Sequence, residues 1–197
     1  MRIAKSKIWF IDGTFHHPPD FEQLLILMYK DYITSEKIVG MYILMNRRSE
    51  NIYDEVFMSI NRILTQNYKI NLEMEFVVID NEIALINGIK KYFVKCKRIA
   101  CYYHYKKDLL ENIKKYGLYK NIYKETSNKV ILELGKIPIY YKGNMKIFEN
   151  IVDELKKNYA LYSNFIKNYF FKNKKDFLKK VIIIIQLFQM IVEAIHF

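Results

Sequence analysis

The chain has few of the residues that cross-link or interrupt a fold. Its 197 residues include 2 cysteines, 3 prolines, 6 glycines and 1 tryptophan. Two cysteines cannot form a disulfide framework, which excludes the small disulfide-stabilised class of domain. Lys, Asn, Ile and Tyr are abundant instead, a bias that A+T-rich coding DNA would produce by itself. At 51% hydrophobic residues, the chain is too apolar to be disordered, and its length predicts one compact domain with room for an inserted lobe.

Neither a secretory signal nor a membrane anchor is predicted. No signal peptide is visible at the N-terminus, so an intracellular, reducing compartment is expected. The run 181–192 is apolar apart from Gln186 and Gln189. A helix of that length would span only about 18 Å, against roughly 30 Å of hydrocarbon. We interpret the run as a buried element and expect no membrane partner.

The positive charge is concentrated in the second half of the chain. The formal net charge is +11; residues 1–104 contribute +2 and residues 105–180 contribute +10. This distribution suits a polyanion held beside a near-neutral core. A solvated lysine face shaped by codon bias is the alternative. The basic half contains no Arg, which argues against base-specific readout, since bidentate contact to guanine is typically made by Arg.

Two aspartates directly follow short apolar runs. Asp12 follows Ile8 to Ile11, and Asp80 follows Phe76 to Ile79. The pattern predicts a carboxylate at the tip of each of two buried strands. Because a rigid sheet can hold an acid at a fixed position, and hard divalent cations prefer oxygen ligands, the pair predicts a metal site. The alternative is that each Asp is only a turn or helix-cap residue.

The order of elements is typical of an α/β domain. Three strands are predicted first, followed by a helix with Ser49 as N-cap and an end near Asn67. A strand, a second helix and a fifth strand come next. The predicted strands are Lys7–Asp12, Gln23–Tyr29, Ile38–Met45, Leu72–Ile79 and Arg98–Tyr102.

The second half is predicted to be helical. A helix after His104 is expected to end at Gly117, because glycine accepts the left-handed conformation at little cost. From there to about Lys180 we predict mostly helix, with breaks at Gly135 to Pro138 and at Gly143. Aromatic residues interleaved with lysine in this half suit either core packing or stacking on bases, and helical spacing favours core packing.

Four segments resemble, in order, the transposase domain of Mutator-like elements (MULE transposases). The first is Trp9 to Phe15 followed by Pro19, Phe21 and Gln23. The second, Ile79-Asp80-Asn81-Glu82, is similar to the family's Asp-x-Glu segment, and the third, Cys101-Tyr102-Tyr103-His104, is similar to its Cys-x-x-His signature. The last, Val192-Glu193-Ala194-Ile195-His196-Phe197, looks like the family's third acidic motif. In this last segment Ile195 stands at the position that is usually Trp, and Gln189-Met190 stand where two asparagines are usual.

The resemblance implies a ribonuclease H-like fold, a mixed sheet flanked by helices, with an all-helical insertion or C-terminal lobe. It divides the chain into three parts. The ribonuclease H-like catalytic core is expected over 7–117, the basic helical insertion over 118–185, and the start of the helix bearing the third acid over 186–197.

The resemblance also implies DDE-type chemistry, in which DNA phosphodiesters are cut and joined with two divalent metal ions, Mg²⁺ or Mn²⁺. Asp12, Asp80 and Glu193 would be the catalytic and metal-binding acids, although Glu193 would also suit a surface position in a terminal turn. Glu82 is expected to point away from the metals and to place favourable charge at a helix N-terminus, and it is a candidate for a residue that supports the metal ligands. The implied partners are transposon ends and target DNA, and the resemblance is also compatible with a homo-oligomer. The implied location is the nucleus.

Cys101 and His104 have the spacing of half of a Cys2His2-type zinc site. Cys96 and His196 are candidates for the missing ligands. A buried Cys beside a hydrogen-bonded His, with no zinc, is the alternative.

The ends of the sequence differ from the family pattern. Only four residues follow Glu193, and six precede the first predicted strand, where the family usually has a DNA-binding zinc module. We therefore expect a truncated or decayed copy of the transposase. A non-catalytic DNA-binding or regulatory protein derived from a transposase is the alternative function, and a remnant without function is a third.

Overall fold

The computed structural model describes residues 2–14, 20–67, 69, 72–120, 122, 124–141 and 145–171. The chain divides into two compact units, Met1–Ile99 and Ala100–Phe197. Each unit has its own cluster of buried hydrophobic residues.

The first unit is built around a mixed sheet of five strands in the order β3-β2-β1-β4-β5. β1 pairs antiparallel with β2 and parallel with β4, and β2 pairs antiparallel with β3. The elements in chain order are α1 (Arg2–Lys5), β1 (Ile8–Thr14), β2 (Gln23–Lys30), β3 (Lys37–Met45), α2 (Glu50–Asn61, continued by a π-helical turn Arg62–Asn67), β4 (Phe76–Ile79), α3 (Ile83–Tyr92) and β5 (Lys97–Ala100).

Alternation along the strands separates a core face from an opposite face. Trp9 and Ile11 of β1 and Val77 and Ile79 of β4 belong to the same buried cluster. Helix α2 contributes side chains to this cluster at helical spacing. Its fully or nearly fully buried residues are Tyr53, Phe57, Ile60 and Leu64.

Two of the predicted strands are shorter than expected. Residues 72–75 precede β4 without joining it, because both Glu75 N–H and Phe76 N–H donate to the carbonyl of Lys7 and so interrupt the regular ladder. The fifth strand ends at Ala100 instead of Tyr102. Cys101 follows it as the N-cap of the next helix.

Apart from Ala100, the last residue of β5, all the regular elements described in the second unit are helical. Its elements are α4 (Tyr102–Lys115), α5 (Lys124–Tyr141), α6 (Met145–Asn158), a short 3₁₀ turn (Ala160–Tyr162) and α7 (Ser163–Phe171). Helix α4 ends as predicted at Gly117, whose φ is +68°. The N–H of Gly117 donates to Lys114 O at 2.9 Å, and that of Leu118 donates to Ile113 O at 3.1 Å. This pair of bonds is the Schellman arrangement of a helix C-terminus.

The break predicted at Gly135 to Pro138 is wrong, since α5 continues through it to Tyr141. Proline has no N–H, so Pro138 leaves the carbonyl of Leu134, four residues earlier, without its helical donor. Tyr105 of α4 supplies a donor: its hydroxyl bonds to Leu134 O at 2.9 Å. Tyr102 donates in the same way to Gly135 O at 3.0 Å. A neighbouring helix thus replaces the hydrogen bond that proline removes.

The sheet order and strand directions, with flanking helices and a helical second unit, confirm the predicted ribonuclease H-like fold class. Within the described ranges, no helix is both long enough and apolar enough to span a bilayer. The predicted break at Gly143 and the apolar run 181–192 lie outside the described residues. The three-part division of the chain stays a prediction.

Candidate metal centre

Asp12 and Asp80 are carried by neighbouring parallel strands, β1 and β4. The paired positions of these strands differ by 68 in residue number, and the same difference separates Asp12 from Asp80. If the same register continued two residues past the last recorded pair, the two aspartates would lie side by side, about 4.8 Å apart across the strands. The three recorded pairs are Ile8 with Phe76, Trp9 with Val77 and Phe10 with Val78.

The predicted strand tip is correct for Asp80 and wrong for Asp12. Asp80 directly follows the last residue of β4. Strand β1 continues past Asp12 to Thr14, because the antiparallel ladder with β2 extends to the pairs Gly13 with Leu25 and Thr14 with Leu24. Asp12 is exposed and Asp80 is partly buried. The residues before and after Asp12 in β1 are therefore both paired with β2, and this fixes the backbone of Asp12.

Glu82 lies at the N-terminus of α3 and contacts Asp80. It is the N-cap residue of α3, yet its side chain makes no capping hydrogen bond. Its backbone N–H donates to Asp80 Oδ1 at 2.9 Å, and its carboxylate accepts a hydrogen bond from Tyr53. Burial raises the pKa of Glu82, and the charge of Asp80 adds to the increase, while the bond from Tyr53 and the charge of Arg48 oppose it.

Tyr53 connects Glu82 to strand β2. Its hydroxyl lies 3.0 Å from Glu82 Oε2 and 3.0 Å from Gln23 Oε1. Burial and the Glu82 carboxylate raise the pKa of the phenol, so the hydroxyl keeps its proton at neutral pH. Gln23 in turn fills the space next to Gly13, where an added Cβ would lie 1.6 Å from Gln23 Nε2.

Sequence reasoning did not assign a role to this group of residues. Gln23 and Gly13 belong to the segment that carries the family resemblance, which gives them no role, and none of the motifs contains Tyr53. The available signal was a tyrosine at helical spacing from the buried Phe57 and Ile60, since a buried phenol needs a hydrogen-bond partner.

Two arginines, Arg48 and Arg98, lie near the segment that carries Asp80 and Glu82. Arg98 of β5 donates to Asn81 Oδ1 at 3.4 Å. Burial lowers the pKa of Arg98 and the charge of Asp80 opposes this. An arginine remains protonated in either case. The arginines thus add positive charge beside the carboxylates, which suits an anionic ligand.

Cys101 and His104 both lie at the start of α4, and this corrects the predicted helix, which was expected to begin after His104. Cys101 is the N-cap, His104 is in the first turn, and both are partly buried. His104 packs edge-on against the ring of Tyr103, with centroids 5.4 Å apart. In the first unit, burial raises the pKa of the Cys96 thiol to about 12, which disfavours the thiolate that binds metal.

The third acid, Glu193, and the zinc candidate His196 lie outside the described residues. Among the residues that the structure does describe, no three His, Cys, Asp or Glu side chains form a group that could hold a metal ion. Asp12 and Asp80 would therefore need a further ligand to complete a metal centre.

The basic half of the chain presents lysines from helices whose aromatic residues form the core. Tyr105, Tyr162 and Phe165 are buried, as the preference for core packing predicted. Tyr103 is 69% exposed and is an exception. Some lysines form ion pairs within their own helices, such as Lys129 with Glu125. Exposed lysines of α4 include Lys107, Lys114 and Lys115.

The family model of the MULE transposase domain matches residues 8–108. The chain belongs to this family. The match to the MULE transposase domain runs from β1 into α4 and includes Asp12, Asp80, Cys101 and His104. No curated protein matches the chain. Among solved structures, the chain is similar to the catalytic core domain of the HTLV-2 integrase, solved in a complex with magnesium in its dimeric form. The two share 12% sequence identity over 59% of this chain and 74% of that chain, with a TM-score of 0.33.

Proposed function

We propose that this transposase domain cuts and joins DNA phosphodiesters by DDE-type chemistry, with Asp12 and Asp80 as two of its metal-binding carboxylates. The observation that carries the proposal is the offset of 68 between the paired residues of β1 and β4. Asp12 and Asp80 differ by the same number, so a continuation of that register would align them. Family membership supports the same reaction class.

The residues fit a divalent cation. Two carboxylates on adjacent strands offer the hard oxygen ligands that Mg²⁺ and Mn²⁺ prefer. Glu193 is proposed as the third acid. When bound, such ions activate a water or a 3′-hydroxyl and stabilise the leaving oxygen. The chain's own contribution is to fix Asp80 through the Glu82 amide and to place the positive charge of Arg98 beside the carboxylates.

DNA is the proposed substrate, as transposon ends and target. The net charge of +10 over residues 105–180 supports backbone contact without base readout. Self-association and a nuclear location, both expected from the resemblance, belong to the same proposal.

The test measures Mn²⁺ binding by electron paramagnetic resonance, together with Mg²⁺- or Mn²⁺-dependent nicking of supercoiled plasmid. Asp12→Asn and Asp80→Asn keep the side-chain size but remove the charge that a cation needs. We expect each to reduce nicking by at least about a hundredfold and to weaken Mn²⁺ binding by a similar factor. Asp20→Asn, which changes an exposed aspartate of a turn, is the matched control and should behave as wild type.

Two outcomes would overturn the catalytic proposal. Mn²⁺ binding that is unchanged in both variants would exclude a site between Asp12 and Asp80. Salt-sensitive binding of duplex DNA without metal-dependent nicking would instead favour the non-catalytic DNA-binding protein.

A further inference from the structure

We propose that Tyr53 is the positioning residue of the Asp12–Asp80 pair, because its buried hydroxyl lies within hydrogen-bond distance of Glu82, whose amide contacts Asp80, and of Gln23, which packs beside Gly13. The inference rests on the proposed function, since it assigns Tyr53 a task only if these two acids bind metal. Nothing in the family match itself singles out this tyrosine.

The position of the hydroxyl is set by the hydrophobic core. Tyr53 is fully buried in the core cluster of the first unit. Its ring stacks on Phe57, with centroids 6.3 Å apart and an angle of 16° between the planes. Phe57 is itself held edge-on by Phe93, at 5.8 Å between centroids. A ring enclosed in this way has little freedom to rotate, so the hydroxyl is a fixed point.

One branch runs from this point to Asp80. The hydroxyl bonds to Glu82 Oε2 at 3.0 Å, which fixes the side chain of the residue that precedes α3. The backbone N–H of the same residue donates to Asp80 Oδ1 at 2.9 Å. Holding Glu82 therefore holds the amide that orients the Asp80 carboxylate.

The other branch runs to Asp12. The hydroxyl also lies 3.0 Å from Gln23 Oε1, a second acceptor that shares its single proton with Glu82 Oε2, and the side chain of Gln23 is almost completely buried. Its amide nitrogen occupies the place that a side chain on Gly13 would need. Because Gly13 is the neighbour of Asp12 in β1, the Gln23 amide supports the strand directly beside the first carboxylate.

Tyr53 lies on the core face of the sheet, where the buried side chains of β1 also lie. Because side chains alternate along a strand, Asp12 lies on the opposite face, together with Phe10. Tyr53 thus supports the carboxylates from behind and does not itself reach a ligand bound between them. Groups that orient metal ligands in this way typically change metal affinity or activity by roughly 10- to 100-fold when removed.

The experiment is a Mn²⁺ titration of the full chain, followed by electron paramagnetic resonance, for wild type and Tyr53→Phe. The variant keeps the ring and removes only the hydroxyl. We expect Mn²⁺ affinity to fall by about tenfold or more. The matched control is Tyr105→Phe, which removes another buried tyrosine hydroxyl, in the second unit. It should reduce thermal stability while leaving Mn²⁺ affinity unchanged.

A second pair of variants tests the same link if Tyr53→Phe does not fold. Glu82→Gln keeps an acceptor oxygen for Tyr53 and should bind Mn²⁺ as wild type does, whereas Glu82→Ala removes it and should weaken binding by about tenfold. Loss of binding in Glu82→Gln as large as that in Asp80→Asn would make Glu82 a metal ligand and overturn the positioning role.

The two proposals fail differently. If wild type binds Mn²⁺ through Asp12 and Asp80 while Tyr53→Phe and Glu82→Ala bind it equally well, the positioning role of Tyr53 is wrong and the metal site stands. If wild-type binding does not depend on the aspartates, the proposed function is wrong and this inference fails with it.

Discussion

A single missing side chain makes room for the hydrogen-bonded group behind the aspartates. Gly13 has no Cβ, and the Gln23 amide uses that space. The reason is steric and not conformational, since the only glycine with positive φ among the described residues is Gly117. Gly13 and Gln23 are therefore a mutually dependent pair on adjacent strands.

Gly13→Ala is expected to lower the free energy of unfolding by about 1–3 kcal/mol, because the new methyl group must displace a buried amide. In a Gln23→Ala background the same change should cost clearly less, since the obstructing group is gone. Urea unfolding followed by the fluorescence of Trp9, which is buried in the same core, measures both. Equal costs in the two backgrounds would show that Gly13 and Gln23 do not share this space.

Sequence reasoning predicts the aspartates and a supporting role for Glu82, but it assigns no role to Tyr53 or Gln23. Asp12 and Asp80 follow apolar runs, which is a local signal visible in one dimension. Tyr53, by contrast, meets Gln23 and Glu82 over separations of 30 and 29 residues. Contacts of that kind depend on which helix covers which strands, and the pattern of one helix does not determine it.

At the scale of elements, α5 shows how a neighbouring helix corrects a local defect. Local preferences predicted a break at Pro138, and the prediction failed because it considered one helix alone. The hydroxyls of Tyr102 and Tyr105 donate to two successive carbonyls in the turn before the proline. Burial also raises the pKa of Tyr105 well above its usual range, so it remains a donor at alkaline pH.

Tyr105→Phe should destabilise the second unit by about 1–3 kcal/mol, because it leaves the buried Leu134 carbonyl without a donor. Pro138→Ala restores a backbone N–H to that carbonyl, so in its background Tyr105→Phe should cost much less. A double-mutant cycle of thermal or urea unfolding gives the coupling. No coupling would mean that the tyrosine hydroxyl does not replace the missing helical bond.

The remaining elements were largely predictable from local pattern. Strands β2 and β3 and the helical stretch from Glu50 to Asn67 lie where alternation and apolar spacing indicated. The predicted start of β4 and the predicted end of β5 are wrong, since both strands are shorter there than expected. Those boundaries are decided by backbone bonds to α1 and to Lys7, which precedes β1, and by the start of α4. These are tertiary effects.

At the scale of the whole molecule, two separate cores imply two separable stabilities. The core cluster of the first unit contains the only tryptophan of the chain, Trp9. The cluster of the second unit lies among α4 to α7. Among the described residues, each cluster consists of residues from its own unit.

We expect urea unfolding to be non-coincident when followed by two probes. Trp9 fluorescence reports the first unit, while far-UV circular dichroism is weighted towards the longer helices α4, α5 and α6. Domains with separate cores commonly depart from two-state behaviour. Superimposable curves would show that the two units unfold as one cooperative body.

The alignment of β1 with β4 also limits which insertions the chain can accept. Between the two strands lie 61 residues, from 15 to 75, and lengthening a surface connection there leaves the strand register untouched. One residue added inside β1 before Asp12, or inside β4, would instead turn the following side chains to the other face of the sheet. Related sequences should therefore differ in length in the connections between β1 and β4 and not within these two strands.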